Sequence, residues 1–73
     1  MSNAQDVEVT LFFQKGLYLN KTKAYEAAIA SYEAALNLKP DYPDAWYNRG
    51  NSLYHLGRYE QAIESYTQAI EYQ

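Results

Sequence analysis

The sequence contains no cysteine and a single histidine, His55. A disulfide framework is therefore excluded, and so is the His/Cys ligand set of a structural zinc site. Apolar runs are short. None approaches the roughly 20 residues that span a bilayer, and the N-terminus lacks the charged-then-apolar pattern of a secretory signal. These absences point to a cytoplasmic chain with no membrane partner, and the missing cysteine fits a reducing compartment. Basic residues are few as well: six Lys and Arg are scattered through a chain of net charge −3. Nucleic-acid binders carry a basic patch or stripe, so DNA and RNA are not expected partners. No glycine-rich phosphate loop is present. His55 has no second histidine nearby and reads as a solvated helix residue. Glu60 and Glu64 stand one turn apart, a spacing that is commonplace on an exposed helix face. No catalytic residue, metal ligand or cofactor is expected, and the chain reads as a non-enzyme.

Length sets the next constraint. A chain of 73 residues makes one small domain, for which apolar burial and conformational entropy nearly cancel. Stability must come from well-packed helices, from self-association, or from both. Nine tyrosines supply large amphipathic packing surface of the kind enriched at interfaces. Residues 1–8 read as an N-terminal extension. Within it Ser2-Asn3-Ala4 is either native sequence or the remnant of a removed expression tag.

Displacing the chain by 34 residues superimposes it on itself without an insertion. Gly16 falls on Gly50, Leu19 on Leu53, Tyr25 on Tyr59, Ala28 on Ala62, Ile29 on Ile63, Tyr32 on Tyr66 and Ala35 on Ala69. Phe12 with Trp46, Phe13 with Tyr47, Lys15 with Arg49 and Leu36 with Ile70 are conservative matches. A fixed period of this length is a signature of solenoids. Residues 9–42 form the first repeat and residues 43–73 the second.

Within each repeat the apolar residues recur every three or four positions, as in Tyr59, Ala62, Ile63, Tyr66, Ala69 and Ile70, which is helical and not strand periodicity. Pro43 and Asp44 suit a first helical turn, and Gly57 suits a helix end. Four helices are predicted, at Gln5–Thr22, Ala24–Leu38, Pro43–Leu56 and Arg58–Tyr72, with short links that make neighbours antiparallel. Gly16 and Gly50, each costing about 1 kcal/mol in a helix interior, are expected to let the two helices of a repeat approach closely, Gly16 with Ala28 and Gly50 with Ala62. Phe12, Tyr25 and Tyr32, and in the second repeat Trp46, Tyr59 and Tyr66, would fill the space around them. Lys23 stands where the second repeat has Gly57, which predicts a strained or altered turn. Lys15 and Arg49 are expected to lay their stems on apolar surface.

The run from Asp44 to Asn51 (Asp-Ala-Trp-Tyr-Asn-Arg-Gly-Asn) and the run from Leu56 to Ile63, followed by Tyr66 and Ala69, resemble the tetratricopeptide repeat family. Phe12, Gly16, Leu19, Tyr25, Ala28, Tyr32, Ala35 and Pro40 carry the likeness through the first repeat. The resemblance implies an all-α, right-handed α-solenoid of two helix-turn-helix repeats. It also implies a concave groove for a protein or peptide, lined by the first helix of each repeat. On this sequence the lining would be Phe13, Gln14, Leu17, Asn20 and Lys21, then Tyr47, Asn48, Asn51, Tyr54 and His55. Asn48 and Asn51 would bond a peptide backbone, and the aromatic rings would give flat apolar contact. A carboxylate clamp, which some relatives use, lacks its basic residues, since Phe13 and Leu17 take the first-repeat places. The expected function is a protein-interaction module within a larger repeat protein. The alternative is a self-assembling element that forms a homo-oligomer through Ile63, Tyr66, Ile70 and Tyr72 of a last helix without a capping neighbour.

Overall fold

The computed structural model describes residues 3–73; Met1 and Ser2, part of the expected N-terminal extension, lie outside them. Four helices follow in order: α1 Ala4–Lys21, α2 Tyr25–Leu38, α3 Pro43–His55 and α4 Tyr59–Tyr72. Each predicted helix is present, with ends displaced by no more than a residue. From Ala4 onward the N-terminal segment belongs to α1, and Asn3 starts it. The Asn3 side chain accepts from the Asp6 amide at 2.9 Å, and the Asp6 carboxylate accepts from the Asn3 amide, a capping box that satisfies two free helix-end donors. Pro43 opens α3 at a position where its missing N–H costs nothing.

The two hairpin turns share one geometry. Gly57 has φ 77° and Lys23 φ 67°. After α3, the Arg58 amide bonds the Leu53 carbonyl and the Gly57 amide bonds that of Tyr54; after α1, Ala24 bonds Leu19 and Lys23 bonds Asn20. Both ends are left-handed closures that satisfy the last helical carbonyls. The turn at Lys23 therefore keeps the backbone of its glycine counterpart and accepts the Cβ strain. Lys23→Gly is expected to stabilise the protein by about 0.5–1 kcal/mol, while Gly57→Ala costs about 1 kcal/mol. Urea unfolding of both variants checks this, and a midpoint lowered by Lys23→Gly contradicts it.

Packing runs in succession, α1 with α2, α2 with α3 and α3 with α4, and α1 meets α3 along a narrower strip. Within each hairpin the glycine receives a tyrosine ring. A Cβ on Gly16 would overlap the Tyr32 ring, and one on Gly50 would lie 2.6 Å from Tyr66 Cε1. Tyr32 and Tyr66 thus fill the space beside the glycines, as their spacing predicts, and Ala28 and Ala62 are buried alongside. Between hairpins, Ala45 and Ser52 are 0% exposed. They lie seven residues apart, about two turns, on one face of α3. Ser52 Oγ donates to Asn20 Oδ1 at 3.0 Å, so that face meets the first repeat. Arg49 Nε donates to Glu33 at 3.0 Å, and Arg58 pairs with Glu26. Trp46 Nε1 donates to the Pro40 carbonyl at 2.7 Å, tying the linker to α3. Ile29, Leu53 and Ala62 form the central cluster, flanked by Leu56 and Tyr66. The Arg49 guanidinium carbon lies 5.6 Å from the Trp46 ring while its Nε holds Glu33, so the charged head, expected to reach water, is instead held against the fold. Lys15 borders Phe12 and Leu19 in a shallow hollow.

Candidate functional site: the face of the first helices

The groove residues proposed from sequence lie on α1 and α3, and their side chains divide into three groups. Leu17, Tyr47 and Tyr54 are exposed large apolar groups, 39%, 54% and 57% accessible; Gln14 and Lys21 are exposed polar ones. The second group is committed to the fold. Phe13 is half-buried, its ring 5.9 Å from Tyr32 and 5.0 Å from Tyr42. Asn20 holds Ser52, and Asn51 accepts from the Tyr66 hydroxyl. Asn48 donates to the Asp44 carbonyl in its own helix at 2.8 Å. Asn48 and Asn51, expected to bond a peptide backbone, thus each spend one polar atom within the fold. Each keeps one polar atom, the Asn51 amide nitrogen and the Asn48 carbonyl oxygen. The third group is aromatic. His55 stacks on Tyr25 with centroids 4.7 Å apart and planes at 7°, Tyr54 meets His55 edge-on, and Tyr59 lies 5.2 Å from Tyr54. The Tyr25–His55 stack was not legible from sequence, because the two residues lie in different repeats and share no local pattern.

Beneath this face the two repeats differ at one polar atom. Tyr32 is fully buried, and its hydroxyl has no hydrogen-bond partner. In the second repeat Asn51 satisfies the equivalent Tyr66 hydroxyl, whereas the first repeat has Leu17 at that place. Burial pushes the Tyr32 hydroxyl up to about 12. Tyr42 and Tyr66 are also raised, mainly by desolvation, with the Asp44 charge adding at Tyr42. In the unfolded chain a tyrosine ionises near pH 10. Between about pH 10 and 12 the unfolded state therefore sheds a proton that native Tyr32 keeps, so stability falls as pH rises. Tyr32→Phe removes both the unpaired hydroxyl and this alkaline slope. We expect it to leave stability at pH 7 unchanged or higher by about 1 kcal/mol and to flatten the alkaline decline. Denaturation midpoints at pH 7 and pH 11 provide the check.

The residues assigned to self-association do not form one patch. Ile63 and Ile70 are 63% and 66% exposed and share a face of α4, being two turns apart. Tyr66 is half-buried, with its ring on Gly50 and 5.6 Å from Tyr47. Tyr72 is about two and a half turns from Ile63 and so lies on the opposite side of α4. A hollow of about 440 Å³ opens at this end of the molecule, between Pro43, Tyr47 and Asn51 of α3 and Tyr66, Ala69 and Ile70 of α4. Among the described residues no group of three His, Asp or Glu side chains converges on a point, and no helix is long and apolar enough to cross a membrane.

Two antiparallel helix hairpins, joined by a short linker and stacked at a 34-residue period, define a two-unit helical solenoid. Residues 16–57 match the family model described as TPR repeat, and residues 43–73 match that of the tetratricopeptide repeat. The chain belongs to the tetratricopeptide repeat family, whose repeats mediate protein–protein interaction. It is similar to an uncharacterized protein of Methanocaldococcus jannaschii, 34% identical over 59 residues that make up 81% of this chain and 69% of that one. It is 39% identical to the protein O-mannosyl-transferase TMTC1 of Mus musculus over 84% of this chain, a stretch that is 6% of the transferase. A DnaJ protein P58IPK homolog of Arabidopsis thaliana is 29% identical over 96% of this chain and 14% of its own length. The chain thus spans a small part of the two larger relatives.

Proposed function

We propose that this chain is a binding module that holds an extended peptide segment of a partner protein along the α1–α3 face. The observation that supports this best is the combination on that face of exposed flat apolar groups, Leu17, Tyr47 and Tyr54, with amides that each retain one free polar atom. Rings supply contact area at low entropic cost, and the amides read a peptide backbone, the usual division of labour in a peptide groove. The same proposal makes the chain a segment of a larger cytoplasmic repeat protein, in keeping with relatives of which it spans 6% and 14%. It assigns no chemistry to the chain itself. The self-assembly alternative draws on the exposure of Ile63 and Ile70 alone.

A displayed library of random peptides tests the groove. Peptides enriched on the wild-type protein should lose at least tenfold in affinity for Tyr47→Ala with Tyr54→Ala, both exposed and outside the core. Equal affinity for the two proteins would place peptide binding elsewhere. Light scattering across a concentration series addresses the alternative, which requires a mass that rises above that of one chain.

A further inference from the structure

The two hairpins bring a tyrosine hydroxyl to equivalent points beneath the α1–α3 face. Each ring crosses the glycine of its own repeat. From a Cβ built on Gly16, Cδ1 and Cζ of Tyr32 are 2.6 and 2.9 Å away. From one built on Gly50, the same atoms of Tyr66 are 2.7 and 3.1 Å away. Each ring also meets an aromatic group of the preceding helix alike. Tyr32 lies 5.9 Å from Phe13 with planes at 48°, and Tyr66 lies 5.6 Å from Tyr47 with planes at 47°. The Tyr66 hydroxyl donates to Asn51 Oδ1. The Tyr32 hydroxyl has no partner among the described residues, although Tyr32 is fully buried. Leu17 stands where the second repeat has Asn51. Buried hydroxyls are rarely left unpaired in native proteins, so this one calls for a partner.

Taking the α1–α3 face as the peptide groove, we propose that the Tyr32 hydroxyl reads the bound peptide. It donates to the side-chain carboxamide oxygen of an asparagine or glutamine that enters beside Leu17 and fills the role Asn51 has in the second repeat.

Three features select this occupant. The first is the missing group itself: the Tyr66–Asn51 bond places an acceptor oxygen there, and Leu17 supplies none. The second is access. Phe13 is backed by Tyr42, whose ring is 5.0 Å from its own, which closes one flank. Leu17 is 39% exposed, and exposed side chains change rotamer within nanoseconds. It can therefore swing aside for a flat polar group while the helices stay in place. The third is charge. Phe13 and Leu17, which hold the places of Tyr47 and Asn51, are apolar, and burying a carboxylate against them costs more than burying a carboxamide. Gln14 lies one turn before Leu17 and is exposed, so its side-chain oxygen is available to the carboxamide nitrogen.

Peptides enriched from a displayed random library on the wild-type protein should share an asparagine or glutamine at one position. One such peptide and its leucine-substituted counterpart, titrated by calorimetry into wild type and Tyr32→Phe, complete a double-mutant cycle. Either change alone should weaken binding by about fivefold, and both together by no more, because each removes the same hydrogen bond. Tyr32→Phe should melt no lower than wild type, which separates lost binding from lost folding. Leu17→Asn supplies the acceptor from within the chain, so it should abolish the preference for the carboxamide peptide over its leucine counterpart. Equal affinity for wild type and Tyr32→Phe, the result if water alone meets the hydroxyl, overturns the proposal. Losses that multiply in the cycle overturn it too, since the two groups then do not touch. Enrichment of aspartate or glutamate at that position, with affinity lost in Lys21→Ala, overturns the choice of a carboxamide. The groove and the hydroxyl contact fail separately. Binding that is lost in Tyr47→Ala with Tyr54→Ala but unchanged in Tyr32→Phe keeps the groove and removes the contact. Binding unaffected by either variant removes both, as does a library that yields no wild-type binder.

Discussion

Gly16→Ala is expected to destabilise the protein by about 2 kcal/mol, a fall of roughly 8–16 °C in melting temperature for a domain of this size. The direction runs against helix propensity, since alanine is favoured over glycine by about 1 kcal/mol in a helix interior. Packing decides the sign. A Cβ at residue 16 would overlap the ring of Tyr32, which is fully buried and packed against Phe13. That ring cannot withdraw without moving α2 from α1. Gly50→Ala provides an internal comparison. Its Cβ would lie 2.6 Å from Cε1 of Tyr66, but Tyr66 is only half-buried and borders the open hollow at the α3–α4 end. A ring with somewhere to go yields more cheaply, so we expect about half the loss. Thermal unfolding followed by circular dichroism checks both values. A Gly16→Ala protein as stable as wild type would mean that the hairpin does not close on that glycine.

The largest effect should come from the junction between repeats. Ala45→Leu with Ser52→Tyr is expected to abolish cooperative folding, with a cost of about 3–7 kcal/mol. Both positions are fully buried, and overpacking costs about 1–3 kcal/mol at each site. Losing Ser52 also removes its hydrogen bond to Asn20 Oδ1. The total is comparable to the whole stability of a domain of this length, on the order of 4–11 kcal/mol. Neither hairpin is large enough to fold alone, because below about 40 residues a single core is rarely sufficient. Breaking the junction should therefore melt both repeats together. Loss of the helical circular-dichroism signal at 25 °C is the expected result. A folded variant with a wild-type melting temperature would show that the hairpins are independent units. By contrast, Arg58→Ala at the exposed Glu26 pair should change stability by less than about 0.5 kcal/mol, as surface ion pairs usually do.

Much of this architecture is local and repeats itself, which is why the sequence reveals it. The 34-residue period, the helix limits at Pro43 and Gly57, and the phase of the apolar stripes all depend on neighbours within a few positions. They are confirmed to within a residue. The site is less legible. Position on a helix says which residues share a face, and the groove set does lie on α1 and α3. It does not say which polar atoms are already spent. Asn20 and Asn51 look like free ligand contacts until Ser52 and Tyr66 are seen to occupy them. Likewise Tyr66 reads both as filler beside Gly50 and as part of an outer stripe, and its ring sits in the slot that Gly50 opens.

The sequence by itself determined the four helices and their pairing into two hairpins, and it left Lys23 either a strained or an altered turn, of which the structure has the left-handed one. Only the tertiary structure decided which of two equivalent residues is buried. Ile29 and Ile63 are the same residue at the same phase, yet one is in the core and the other faces solvent. The reason is that burial belongs to the pair of surfaces in contact, and α3 covers the first repeat with a face of small residues. Repeat sequence specifies the shape that each unit offers, and stacking determines which of those shapes remains open to a partner.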